Sequence, residues 1–190
     1  MEKKISINRE HVLNAYQQAT EEQKALLENM FGKDMFKPQN IMERVKTFED
    51  ACEELGEDHQ YVKAYREWMR ISYAECKDIT AYLKLRIICA ALNEGWKPKY
   101  NGYEGHHYTM FYMYTKKEYG ELNGDKKKRI RVFCIPNRFA SEHDGNVYAI
   151  PSSEKAFSNI YTGYMLTLKT EELANYCAEQ FIDIWSDYLI

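Results

Sequence analysis

DITAYLKLRIICAALNEGWKPKY, running from Asp78 to Tyr100, holds the most concentrated apolar run of the chain. Ala81, Leu85, Ile88 and Leu92 recur at the three-and-four spacing of one helical face, and Tyr82 and Cys89 lie one step round it. Leu83, Ile87, Ala90 and Ala91 widen that face until little polar surface is left, so the helix belongs inside a fold. Asp78 is placed to cap its start, Gly95 to end it in the left-handed conformation, and Pro98 to prevent its resumption. Its buried face carries no acid, base, nucleophile or ligand apart from Cys89, which by default packs as a small hydrophobe.

Outward from this helix, composition sets the limits. A chain of 190 residues builds one domain with a full core, and we expect a single domain over 1–190, with a helical part over about 1–97 and a sheet plus C-terminal helix over about 98–190. An apolar content of 45% sits beside a mean hydropathy of -0.65, and the two agree because 16 of the residues are tyrosine, whose ring is buried while its hydroxyl keeps a polar partner. A net charge of -3 gives no global attraction to nucleic acid or anionic membrane, so any such binding has to come from a local patch. Cys52, Cys76, Cys89, Cys134 and Cys177 are odd in number and widely spaced, with no C-x-x-C pair. Together with the lack of a secretory leader after Met1 they predict free thiols and a cytoplasmic protein, with no structural zinc. No apolar run approaches the roughly 18 residues of a membrane span.

The first third reads as short capped helices. Asn8 caps one through Ala19, Thr20 and Gln23 form a capping box for a segment ending at Gly32, and Pro38 interrupts. Asn40 with Glu43 and Thr47 with Asp50 predict helices over Ile41 to Lys46 and Phe48 to Leu55, closed by Gly56. Asp58 is placed to cap a helix from His59 to about Glu75, on which Tyr61, Ala64, Tyr65, Trp68, Met69 and Ser72 form a stripe that we read as core. After Tyr100 the turn dipeptides Asn101-Gly102, Asn123-Gly124 and Asp144-Gly145 separate runs rich in aromatic and β-branched residues. Those runs, His107 to Thr115, Ile130 to Ile135, Val147 to Ile150 and Tyr161 to Leu168, predict an antiparallel sheet, with Ser152 to Asn159 as a loop. Thr170 caps a last amphipathic helix through Tyr188 that should lie on the sheet beside the Asp78 helix. The fold class expected is α+β.

Three motifs carry a resemblance. Lys46-Thr47-Phe48-Glu49-Asp50-Ala51, then Tyr82-Leu83-Lys84-Leu85 through Ala91-Leu92-Asn93-Glu94-Gly95-Trp96-Lys97-Pro98, then Leu168-Lys169-Thr170-Glu171-Glu172-Leu173-Ala174 with Gln180-Phe181-Ile182, resemble an uncharacterised family of small phage and prophage proteins. The resemblance covers Phe31 to the C-terminus and implies a phage context without implying an activity. The chain departs from the family pattern at His107-Tyr108-Thr109-Met110-Phe111, where relatives have an aromatic-proline-Trp run, and at Gly163-Tyr164-Met165-Leu166.

Candidate chemistry is sparse. His106, His107 and His143 with Glu104 are the only cluster resembling metal ligands, but adjacent histidines on a strand point to opposite faces, so no metal site is predicted. The basic run Lys126, Lys127, Lys128, Arg129 with Arg131 is interleaved with rings, and stacking beside cations is how single strands and nucleotides are held. Alternation along the first strand puts His107, Thr109, Phe111, Met113 and Thr115 on one side and Tyr108, Met110, Tyr112 and Tyr114 on the other, the second set being the one expected to face solvent. The expected binding residues are therefore Tyr108, Tyr112, Tyr114, Lys126, Lys127, Lys128, Arg129 and Arg131. The expected function is non-enzymatic binding of nucleic acid, a nucleotide or a protein, without cofactor or membrane partner. The alternatives are a structural or assembly protein and a metal-dependent enzyme built on the histidines.

Overall fold

A computed structural model describes residues 6–71, 76–99, 103–134, 146–157 and 164–190. The chain falls into two compact units, Met1–Arg44 and Val45–Ile190. The division lies inside the helical half, so the helices from Phe48 onward share a unit with the sheet.

The first unit is built from local signals. Helix α1 (Arg9–Gln18) starts where the Asn8 side chain accepts the Glu10 N–H at 2.8 Å. The next helix, α2 (Glu21–Phe31), starts at the reciprocal Thr20–Gln23 capping box and stops at Gly32, whose φ of 82° is open to glycine and strained for other residues. A 3-10 turn over Lys33–Phe36 brings Phe36 to stack on Tyr16, with centroids 4.1 Å apart. Asn40 accepts the Met42 N–H at 3.0 Å and opens the single turn α3 (Ile41–Arg44).

In the second unit α4 (Phe48–Leu55) opens on the expected Thr47–Asp50 box. Helix α5 (Gln60–Ile71) follows, and its start corrects the expectation for Asp58: the His59 Nδ1 accepts the Tyr61 N–H at 3.3 Å, while Asp58 pairs with Lys63. Val62 and Tyr65 are the buried residues of α5. Tyr61 and Trp68 are half-buried, and Ala64 and Met69 are exposed, so the buried stripe is narrower than predicted; Ser72 lies outside the described residues.

Helix α6 (Lys77–Leu92) is the central element. Leu85, Ile87, Ile88 and Cys89 have no exposed surface, as its all-round apolar pattern requires. Its N-cap is Cys76, with no side-chain cap bond, and Asp78 sits within the first turn. The Trp68 indole donates to the Thr80 hydroxyl at 2.9 Å, tying α5 to α6, and Lys84 lies 5.3 Å from the Phe48 ring centre on α4.

Among the described residues the sheet has four antiparallel strands, β1 (His106–Tyr114), β2 (Arg131–Cys134), β3 (Asn146–Ala156) and β4 (Thr167–Leu168), in the order β2-β3-β1-β4. Here Ser152 to Ala156, expected as loop, continue β3 because β1 offers a full ladder from Met110 back to His106. Pro151 is accommodated because β2 pairs only with Asn146 to Ala149, and the Pro151 carbonyl instead accepts from Arg129 at 3.0 Å. Between β1 and β2, the expected Asn123-Gly124 turn is a helix start. Thr115 and Glu118 box the start of α7 (Lys116–Glu121), and Asn123 accepts the Lys126 N–H to start α8 (Gly124–Arg129). Of the predicted last strand, Tyr164–Leu166 form a 3-10 turn, only Thr167–Leu168 pair, and 161–163 lie outside the described residues.

The predicted last helix is two. Thr170 accepts the Leu173 N–H at 3.2 Å to cap α9 (Glu171–Gln180), the chain bends at Phe181 (φ -110°, ψ 31°), and α10 (Ile182–Leu189) follows. The bend lets one amphipathic segment serve two layers. Helix α9 lies on β1 and β3, where the Thr109 hydroxyl donates to the Ala174 carbonyl, while α10 lies against α6 and sets Trp185 5.8 Å from Phe111. The helices from α4 onward and the sheet are an α+β arrangement with C-terminal helices packed on the strands. No helix among the described residues is long and apolar enough to cross a membrane.

Candidate functional site

The sheet face expected to bind is dispersed by register and by helix. Tyr108 is 1% exposed, with its hydroxyl 3.1 Å from His106 Nε2, so its predicted exposure is corrected. Tyr112 is 50% exposed and Tyr114 half-buried. Arg131 pairs with Ala149, which pairs with Met113, so Arg131 belongs to the face opposite Tyr112 and Tyr114. Lys126 to Arg129 form one turn of α8, where successive side chains fan out about 100° apart instead of lining a hairpin edge. Lys126 is exposed, and Lys128 pairs with Asp125 at 3.2 Å. Lys127 donates to the Gly120 carbonyl and lies 5.5 Å from the Tyr119 ring, which stacks on Tyr148 at 4.4 Å. Arg129 reaches Pro151 and, at 3.8 Å, Glu179. Rings and cations do interleave here, but Lys127 and Arg129 are engaged by the fold itself.

The other sequence candidates also stay apart. His106 is fully buried and His107 half-buried, while His143 lies outside the described residues. No group of three or more His, Cys, Asp or Glu is placed to hold a metal among the described residues. Cys89 on α6 hydrogen-bonds the Cys177 thiol on α9, and this bond together with burial holds the Cys89 thiol well above the usual range, against thiolate formation.

A pocket of about 500 Å³ lies elsewhere, at the C-terminal end of α6. Leu55 ends α4 on one side, His59 to Tyr61 start α5, Asn93 to Pro98 form the turn leaving α6, and Met165 and Thr167 come from the approach to β4. Its walls are fixed by bonds within the fold. Gly56 and Gly95, each at φ 82°, turn the chain sharply at two corners. The buried Asn93 donates to the Thr167 carbonyl at 2.8 Å and accepts the Lys169 N–H at 3.0 Å, stapling the end of α6 to β4. Tyr61 donates to Met165 Sδ at 2.9 Å, with the Arg86 guanidinium 4.2 Å over its ring. Trp96 Nε1 donates to Glu104 at 3.0 Å, which sets the plane of its ring.

His59 is the titratable group of this pocket near neutrality. Its Nδ1 accepts a backbone N–H, which leaves the proton of the neutral ring on Nε2. Burial, and then the charge of Lys97, push its pKa below the usual histidine value. A sequence signal for the pocket was present only as the Gly95-Trp96-x-Pro98 turn, which reads equally well as a helix stop. A second hollow of about 430 Å³ runs along β1 and α10, lined by Phe111, Met113, Trp185 and Leu189 with Glu154. Its wall is mainly apolar: the Thr109 hydroxyl in it donates to the Ala174 carbonyl, the Tyr108 hydroxyl lies against His106, and the Trp185 indole N–H is itself buried.

No protein-family model, curated protein or solved structure matches the chain.

Proposed function

We propose that the protein is a non-enzymatic binding protein, of the phage or prophage kind its three motifs resemble, and that it receives a small molecule in the pocket at the end of α6. The observation that carries this is the pre-formed wall: Tyr61, Asn93 and Trp96 are each held by hydrogen bonds made within the fold, so a ligand meets groups already ordered. Size and lining suit a small molecule, since sites of roughly 300–1,000 Å³ with aromatic walls and a few placed polar groups are the usual kind. His59 has no thiol or carboxylate beside it in the lining among the described residues, which favours holding over turnover.

A protein or oligonucleotide on the sheet is the second reading. It rests on Tyr112 and Val132, which share one face and are 50% and 53% exposed. Amide shift mapping of isotope-labelled protein separates the two. A set of small aromatic fragments should move the signals of His59, Tyr61, Asn93 and Trp96 and leave Tyr112 and Lys126 in place. No movement in the pocket with any fragment overturns the proposal. A short single-stranded oligonucleotide that moves Tyr112 and Lys126, with binding weakened by Lys127→Glu/Lys128→Glu and by Tyr112→Ala, transfers the site to the sheet.

A further inference from the structure

Resting on the pocket reading above, we infer that its ligand is a small planar ring bearing a negative charge, with the ring beside Trp96 and the anion at Lys97 and the Nε2–H of His59. The sign of the pocket points this way. Lys97 is the one formally charged side chain in the lining among the described residues, and it is in no ion pair among them. The helix end opposes an anion, because the α6 dipole leaves partial negative charge there. That opposition is blunted: the carbonyls of Cys89, Ala91 and Asn93 accept from Asn93, Glu94 and Trp96 N–H groups. Glu104 accepts from the edge of the Trp96 ring.

The shape of the ligand follows from the walls. Trp96 is half-buried, Pro98 is buried beside it, and the Met165 thioether is a deformable apolar surface that suits a flat ring. Tyr61 is less available, since Arg86 covers a face of its ring and His59 meets it edge-on at 5.0 Å. The imidazole then has Nδ1 engaged by backbone and Nε2 left as donor.

This arrangement carries a pH signature. Among the described residues the charge acting on His59 is Lys97, from the turn after α6; Arg86 from α6 lies over the Tyr61 ring that His59 meets edge-on, and Asp58, next to His59 in the chain, pairs with Lys63. Burial and, to a lesser extent, the charge of Lys97 lower the His59 pKa; an anion beside Lys97 offsets the second of these, so the bound state takes up protons more readily than the free state. Affinity for the anion therefore rises as pH falls through the histidine range, and affinity for an uncharged ring does not change.

The probes are two matched pairs, naphthoate with naphthamide and adenosine monophosphate with adenosine, titrated calorimetrically with the His59 ring protons followed by NMR. Naphthoate does not titrate in the histidine range, so its pH profile belongs to the protein. Naphthoate should bind about tenfold tighter than naphthamide, a preference that Lys97→Gln abolishes, and should raise the His59 midpoint. Preference for both anions over their neutral partners marks the general anion, and preference for the nucleotide alone narrows the ligand to a nucleoside phosphate. Equal binding of charged and neutral partners in the pocket, with the His59 midpoint unmoved, overturns the anion assignment while leaving a binding pocket. No binding of any of the four probes, together with no fragment shifts, overturns both.

Discussion

Asn93 joins the end of the central helix to the edge strand, and its replacement separates two ways of breaking that staple. In Asn93→Ala the Thr167 carbonyl, on a residue only 1% exposed, loses a donor at 2.8 Å, which costs about 1–3 kcal/mol for a buried acceptor. The Lys169 N–H loses its acceptor at 3.0 Å, but Lys169 is exposed and water replaces it, adding about 0.5–1 kcal/mol. A loss of about 2–4 kcal/mol is expected, read as a lower urea midpoint at unchanged slope. Asn93→Asp keeps the acceptor for Lys169 and sets an oxygen against the Thr167 oxygen. Repulsion and burial raise the pKa of the introduced carboxyl above the unfolded value of about 3.9, because its protonated form can donate to Thr167. The folded state then holds the extra proton, so relative to the wild type this variant loses stability as pH rises through the window above about 3.9, and approaches it in acid. A loss under about 0.5 kcal/mol for Asn93→Ala, or a pH-independent difference for Asn93→Asp, would refute the staple.

Leu85→Ala or Ile88→Ala, each at a position with no exposed surface, should cost about 2–5 kcal/mol in denaturant melts, and a loss below about 1 kcal/mol would place these side chains at the surface. At Asp50, burial pushes the pKa up but is outweighed by the Lys46 and Thr47 N–H groups and the Thr47 hydroxyl, which hold it below the usual value. Its contribution is therefore present above the unfolded pKa and lost as pH falls through the folded one; Asp50→Asn should be less stable at neutral pH and show a shallower acid decline, checked by melts across the acid range. Cys89 and Cys177, both fully buried, should react with iodoacetamide at least about tenfold more slowly in the native protein than in the unfolded chain, and equal rates by mass spectrometry would show that they are open.

Where the signal was local, most of the sequence was legible, Asp58 and Asp78 being the expected caps that the structure does not use. Asn8, Thr20 with Gln23, Thr47 with Asp50, and Thr170 all cap helices as read, because a cap depends on atoms within a few residues. Asn123-Gly124 misled for the same reason: asparagine serves turns and N-caps equally, and the choice was made by Glu118, Asp125 and the cations suiting two short helices. Faces were harder. Alternation along β1 separated the right two sets, yet where Arg131 falls depends on its pairing through β3, and the burial of Tyr108 depends on neighbours that no single strand displays. The pocket was least legible, since Leu55, His59, Trp96 and Met165 meet only after the helices and the edge strand have assembled.

Helix α6 is apolar over most of its circumference, so apolar burial alone selects its azimuth only coarsely. What distinguishes one azimuth from the next is a handful of polar latches: Thr80 under the Trp68 indole, Lys84 over Phe48, Arg86 over Tyr61, and Asn93 at the far end. Swapping one aliphatic side chain for another along this helix therefore changes how tightly the core closes, whereas removing a latch blurs which orientation is native. Two of the four latches, Arg86 through Tyr61 and Asn93 directly, also shape the pocket wall, so the feature that orients the helix and the feature that would receive a ligand are inherited together.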